Sequence, residues 1–179
     1  EEKLFYRSNG PTFVRNRSAI VKDDQIHALL SLLHQDYRDL GMTISVYGSL
    51  EDVKSDRNGT MERYMHKTNL DGVFSGEYGG YHQEGFVFLY PFNHHVRNSK
   101  LEDSVRRLFF VFDLMHEVRH AYQRIYFSSR RKKGYVEAGN DGYHSQWVER
   151  DANKFAQRFM EKYKECIDAI LGIPFVWRC

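Results

Sequence analysis

The chain has 179 residues, 41% hydrophobic and 15% aromatic with three prolines, which excludes a disordered or fibrous polypeptide and fits one packed unit. Twenty-six Lys and Arg against 24 Asp and Glu leave a formal charge of +2, so there is no global field to draw nucleic acid or a membrane surface. Two cysteines, Cys166 and Cys179, are too few for a disulfide-stapled scaffold, and no apolar run approaches the roughly 18 residues of a membrane span.

A reducing, cytoplasmic setting is therefore expected, although a start at Glu1 rather than methionine is compatible with a removed leader. Asp23 and Asp24 precede Ile26, Leu29, Leu30, Leu32, Leu33 and Tyr37 at helical spacing, and Gly41 closes the run, predicting a capped amphipathic helix. Met42 to Tyr47 alternates with period two and predicts a strand, so the fold is mixed. Asp56-Arg57-Asn58-Gly59 is a turn candidate, and Met61 to Lys67 a possible second strand.

Gly79-Gly80 reads as a hairpin turn, because no Gly-Lys-Ser/Thr follows to make a phosphate loop. Gly85 to Tyr90 predicts a strong strand stopped by Pro91. His94 and His95 are adjacent and so point different ways on any regular element, which places them on a surface or rim rather than on one metal ion.

A long helix is expected from Leu101 to Phe127. At 100° per residue Phe110, Val111, Leu114, Met115, Val118, Ala121, Tyr122 and Ile125 share one side, while His116 and His120 fall opposite with Phe109, Asp113 and Gln123. This helix carries His116-Glu117-Val118-Arg119-His120, an H-E-x-x-H pentapeptide. Four residues apart, the two imidazoles project from one face and can bind one Zn²⁺, with Glu117 between them as general base. Ser128 to about Gly142 reads as a loop whose cations Arg130, Arg131, Lys132 and Lys133 are taken as solvated, with nucleic-acid contact the alternative use.

A last helix is expected from Ser145 to Leu171, closed by Gly172 and Pro174. Its apolar stripe comprises Val148, Ala152, Phe155, Ala156, Phe159, Met160, Tyr163, Cys166 and Ile167, so Cys166 is expected as a buried free thiol. Glu149 lies within that stripe, whereas Asp151 is expected to face solvent with Arg158 and Lys162. An acid turned into an apolar face is costly unless a proton, cation or metal compensates it. Glu149 is thus a candidate third ligand for the ion held by His116 and His120.

Two strings together, Met115-His116-Glu117-Val118-Arg119-His120-Ala121 and Glu149-Arg150-Asp151-Ala152-Asn153-Lys154-Phe155-Ala156, resemble the H-E-x-x-H and E-x-x-A-N-x-F-A pair of ImmA/IrrE-like metallopeptidases. The resemblance spans roughly residues 20 to 165. It implies an α+β fold, a single minimal zincin-like metallopeptidase domain over 1–179. That domain would have an N-terminal helix, a small mostly antiparallel sheet, the H-E-x-x-H helix and a ligand-bearing C-terminal helix. It further implies zinc on His116, His120 and Glu149, Glu117 as the catalytic glutamate, and a protein or peptide substrate, often a regulatory protein.

A rival third ligand is His144, in Asp141-Gly142-Tyr143-His144-Ser145-Gln146-Trp147, which is somewhat similar to the downstream histidine and tryptophan of SprT-like, DNA-associated proteases. With Glu149 as ligand, His144 or Tyr143 would instead donate a hydrogen bond to the tetrahedral oxyanion. A different class of function is a regulatory or binding protein that keeps the zincin scaffold without turnover, its site covered by some of the 12 Tyr and 13 Phe.

Overall fold

The computed structural model describes residues 10–56, 72–73, 75–95, 100–136 and 140–179. Its strands are β1 (Phe13–Asn16), β2 (Thr43–Val46), β3 (Gly80–Gln83) and β4 (Phe86–Leu89). Its helices are α1 (Asp23–Ser31), α2 (Gln35–Arg38), α3 (Leu50–Ser55), α4 (Glu102–Tyr126), α5 (Ser128–Lys132), α6 (Trp147–Lys162) and α7 (Lys164–Leu171). The class is α+β. The expected strand at Met61 to Lys67 and most of the turn at 56–59 lie outside the described residues.

The four strands form one sheet in the order β1-β2-β4-β3. An antiparallel majority was expected, but β1 with β2 and β2 with β4 are parallel and only β3 with β4 is antiparallel. The cause is the connection: α1 and α2 stand between β1 and β2, and a helical crossover returns the chain in the same direction where a tight turn would reverse it. The tight turn between β3 and β4 is Glu84-Gly85, with φ of 52° and 84°, where both central residues are left-handed as a type I′ hairpin requires. Gly79-Gly80 is therefore not the hairpin turn; it leads into β3 itself.

Alternation on the central strands sorts side chains to two faces. Ile44, Val46, Val87 and Leu89 join Ile26, Leu29, Phe110, Leu114, Val118, Ala156 and Ile167 in the larger core beneath the helices. Tyr47, Phe88 and Tyr90 turn the other way onto Val53 and Val73. The long helix and the strand at 42–47 form as expected; α4 packs on β3 and β4 and turns its apolar side into the larger core. Among the described residues no helix is long and apolar enough to cross a membrane.

Two further expectations are corrected. The last helix is two, because Tyr163 leaves the helical region at φ −108° and ψ 21°. That break shifts the helical phase: Ile167 stays in the core, but Cys166 is exposed rather than buried. The segment opening at Ser128 is not a loop throughout but begins as helix α5. Its guanidiniums lie on rings, Arg130 4.0 Å from the centroid of Trp147 and Arg131 5.6 Å from that of Tyr135.

Candidate metal centre

Helix α4 presents His116, Glu117 and His120 to the first turn of α6, the helix against which it packs most extensively. The donor atoms of these three residues lie within 4.8 Å of one another. The two imidazole Nε2 atoms are 2.9 Å apart, their rings nearly perpendicular. Glu149 reaches across from α6, one carboxylate oxygen 3.3 Å from His116 Nε2 and the other 3.3 Å from His120 Nε2. All but His116 are buried, with Glu149 4% and Glu117 7% exposed.

Proton positions follow from the surroundings of Gln123, itself fully buried. Its amide nitrogen donates to the Val148 carbonyl at 2.9 Å and to Asp151 Oδ2 at 2.7 Å, which uses both N–H groups. Its oxygen therefore faces His120 Nδ1, 2.9 Å away, and accepts the proton there. In a neutral ring the His120 lone pair is then on Nε2, directed at the Glu149 carboxylate. One imidazole lone pair and two carboxylate oxygens thus converge, with at most a His116 N–H between them. Such a set of acceptors is stable only around a cation or a shared proton.

The spacing suits a small ion. Ligands about 2.0–2.1 Å from Zn²⁺ at tetrahedral angles stand about 3.3 Å apart, the separation Glu149 keeps from each histidine. Two neutral imidazoles and a carboxylate are the donor types zinc takes in hydrolytic sites. His116, His120 and Glu149 fit the group.

Electrostatics separate the two glutamates. Burial would raise Glu149, but the His116 and His120 imidazoles beside it outweigh that and hold its carboxyl well below the usual range. Its place in the first turn of α6 adds the favourable end of the helix dipole. Glu117 goes the other way: burial, opposed by His116 and assisted by Glu149 and Asp113, pushes it up to about 8. Burial, together with the charges of Glu149 and Glu117, raises the Tyr143 hydroxyl far above the ordinary tyrosine value.

His144 is exposed, its ring edge-on to Tyr143, and among the described residues no hydrogen bond or ion pair joins it to His116 or His120. Of the cationic run, Arg130, Lys132 and Lys133 are exposed and Arg131 is half-buried. Asp151, expected on the solvent face, instead turns inward. It accepts the fork of Arg119 at 2.7 and 3.2 Å as well as the Gln123 amide. Arg119 also donates to the Tyr37 hydroxyl and sits over Tyr122 and Phe155, 4.9 and 5.3 Å from their centroids. The sequence places Gln123 on the ligand face; what it hides is Asp151, since only the approach of α4 turns that side of α6 inward.

On the other side of Glu117 runs β3, paired among the described residues only with β4. A Cβ on Gly80 would lie 3.0 Å from Glu117 Cγ, and one on Gly79 2.3 Å from Asp113 Oδ2 and 2.6 Å from His94 Nε2. Glycine at both positions is what lets the edge strand lie against the motif helix. His94, expected on a rim, is half-buried, stacked on Phe109 and 2.5 Å from Asp113 Oδ2, while His95 is exposed.

No family model matches this chain, no curated protein matches its sequence and no solved structure matches its fold.

Proposed function

We propose that the chain is a metal-dependent hydrolase whose ion is held by His116, His120 and Glu149. More narrowly, we read it as a zinc peptidase of the ImmA/IrrE-like kind, a minimal zincin acting on a protein or peptide. The observation that carries the reading is the convergence of both Nε2 atoms and both Glu149 oxygens at 2.9 to 3.3 Å, with Glu117 buried beside them. A glutamate within reach of the same centre is the general base that hydrolysis needs.

Bound Zn²⁺ would bring the pKa of a coordinated water toward 7 and polarise the scissile carbonyl. Glu117 takes the proton from the attacking water and returns it to the leaving amine. Its buried, raised carboxyl suits a group that must hold and release a proton near neutral pH. Tyr143, whose hydroxyl feels the charges of Glu149 and Glu117, would donate to the oxygen on which negative charge develops. The edge of β3 offers backbone groups to an extended peptide, which would lie past Glu117 as an added strand.

Elemental analysis and a peptide-mixture digest test this directly. One zinc per chain is expected, falling well below one in His116→Ala, His120→Ala and Glu149→Ala. Glu117→Gln should keep the zinc and lose hydrolysis by at least about 100-fold. Metal-free protein after zinc dialysis, or an E117Q variant as fast as the parent, would overturn the reading.

Burial of Glu117, His120 and Glu149 favours one second reading, a regulatory protein that keeps the scaffold and the ion without turnover. Zinc at full occupancy with no cleavage by either the parent or Tyr143→Phe would select it.

A further inference from the structure

Beside Glu117 stands a second pair of polar side chains, His94 and Asp113, which the proposed reaction does not use. Asp113 precedes Glu117 by four residues on α4, one turn or about 6 Å along the axis, and so shares its face. The start of the edge strand touches both. A Cβ on Gly79 would lie 2.3 Å from Asp113 Oδ2, 2.6 Å from His94 Nε2 and 2.8 Å from His94 Cε1, and one on the next residue, Gly80, 3.1 Å from Glu117 Oε1. Cε1 joins the two ring nitrogens, so the imidazole turns its nitrogen-bearing edge toward the backbone that also passes Glu117.

His94 is held from several sides. Its Nε2 is 2.5 Å from Asp113 Oδ2, its ring lies flat on Phe109 with centroids 4.6 Å apart, and its carbonyl accepts from Arg106 Nε at 3.0 Å. Asn93, the residue before it, donates to the Val73 and Tyr78 carbonyls. A carboxylate only accepts, so Nε2 carries the hydrogen, and in a neutral ring the lone pair is on Nδ1. Among the described residues nothing donates to that lone pair, and the side chain is 21% exposed, which leaves it open to a ligand. A strap tying His94 to α4 would need Nε2 alone; the oriented acceptor at Nδ1 is surplus to it.

An imidazole acceptor backed by a carboxylate, next to a strand edge along which an extended peptide would run, matches a donor that every peptide carries, the backbone N–H. We propose that His94, oriented by Asp113, accepts at Nδ1 a hydrogen bond from a backbone N–H of the bound substrate within two residues of the scissile bond. That span follows from about 3.3 Å per extended residue against the one helical turn between Asp113 and Glu117. The inference rests on the peptidase reading and adds to it a contact that fixes the peptide's register on Glu117.

The test compares a cleaved all-amide peptide with four depsipeptides, each replacing by an ester one of the two amides on either side of the scissile bond. An ester lacks the N–H and leaves the scissile amide unchanged. In the parent at least one ester should lower kcat/KM about 10- to 100-fold. His94→Gln sets its amide nitrogen near the Nε2 position, keeping the tie to Asp113, and has no acceptor for Nδ1. It should cleave the all-amide peptide slower by that same factor, cleave the sensitive ester as fast as the parent does, and keep its zinc content and thermal melt. His94→Asn, whose carboxamide oxygen stands near the Nδ1 position, should retain part of the preference for amide over ester. In the metal-free protein above neutral pH, ¹⁵N spectra should show His94 protonated at Nε2 and not at Nδ1.

The same preference for amide over ester in the parent and His94→Gln at all four positions, or a preference kept by Gln and lost with Asn, would show a strap only and overturn the inference. A ring protonated at Nδ1 would do the same. Each of these results leaves the peptidase reading standing on the zinc and E117Q data, whereas a parent that cleaves none of the peptides overturns both.

Discussion

Gln123→Leu is the sharpest perturbation of the centre that leaves every proposed ligand in place. The fully buried amide makes three hydrogen bonds of 2.7 to 2.9 Å, to Val148, Asp151 and His120. Leucine fills similar volume but leaves the Val148 carbonyl and the His120 Nδ1–H without partners, while Asp151 keeps Arg119. At about 1–3 kcal/mol for each of the two orphaned buried groups, the loss should be about 2–6 kcal/mol of folding stability. The His120 proton is then free to move to Nε2, which removes the lone pair aimed at the ion, and zinc affinity should fall about 10- to 100-fold.

Competition with a chromophoric chelator measures the second effect, and urea unfolding of the metal-free protein the first. Gln123→Glu is the informative control. It sets an oxygen 2.7 Å from Asp151 Oδ2, two carboxylates must share a proton, and its destabilisation should shrink as pH falls. Stability and zinc affinity both unchanged in Gln123→Leu would refute the relay and the proton assignment drawn from it.

The glycines before and within β3 should respond in different ways: Gly79→Ala collides with Asp113 and His94 and should cost about 1–3 kcal/mol in a thermal melt, whereas Gly80→Ala presses on Glu117 and should depress peptide hydrolysis more than stability. Far from the centre, burial raises the Asp56 carboxyl, but the Tyr47 hydroxyl at 2.7 Å and Arg15 outweigh it and hold it below its ordinary value. A depressed folded pKa adds stability above the unfolded value near 3.9 that is lost as pH falls through the folded one. The gap between the parent and Asp56→Asn in urea melts should therefore be full at pH 6 and close progressively below about pH 4. Arg119→Lys should not substitute for arginine, since an ammonium cannot reproduce the fork to Asp151; a loss of about 1–3 kcal/mol in urea unfolding is expected.

What the sequence makes legible is what repeats locally. The 3.6-residue stripe of Phe110, Val111, Leu114 and Val118 forces α4 and carries His116 and His120 to the other side, and Glu149 stands out because a carboxylate breaks an apolar stripe. The sheet's direction is decided by a crossover through α1 and α2, which no period within β1 or β2 encodes. β1 itself is four residues long, with Phe13 64% exposed, and lacks the alternation that marks β2. The break at Tyr163 and the inward turn of Asp151 depend on which helix meets α6. One residue of phase, or one neighbouring helix, moves Cys166 out and Asp151 in.

Glu149 and Asp151 sit two residues apart at the start of α6, and both reach to α4. The proposed donor set therefore does not exist in either helix alone; it exists only when the two are docked. By mass action an ion that binds the docked pair and not the separated helices stabilises folding by RT ln(1 + [ion]/Kd), about 2.7 kcal/mol at a hundredfold excess over Kd. Free zinc concentration would then set not only whether the site can turn over but how tightly the two largest helices hold together, making metal supply a determinant of this protein's lifetime against proteolysis.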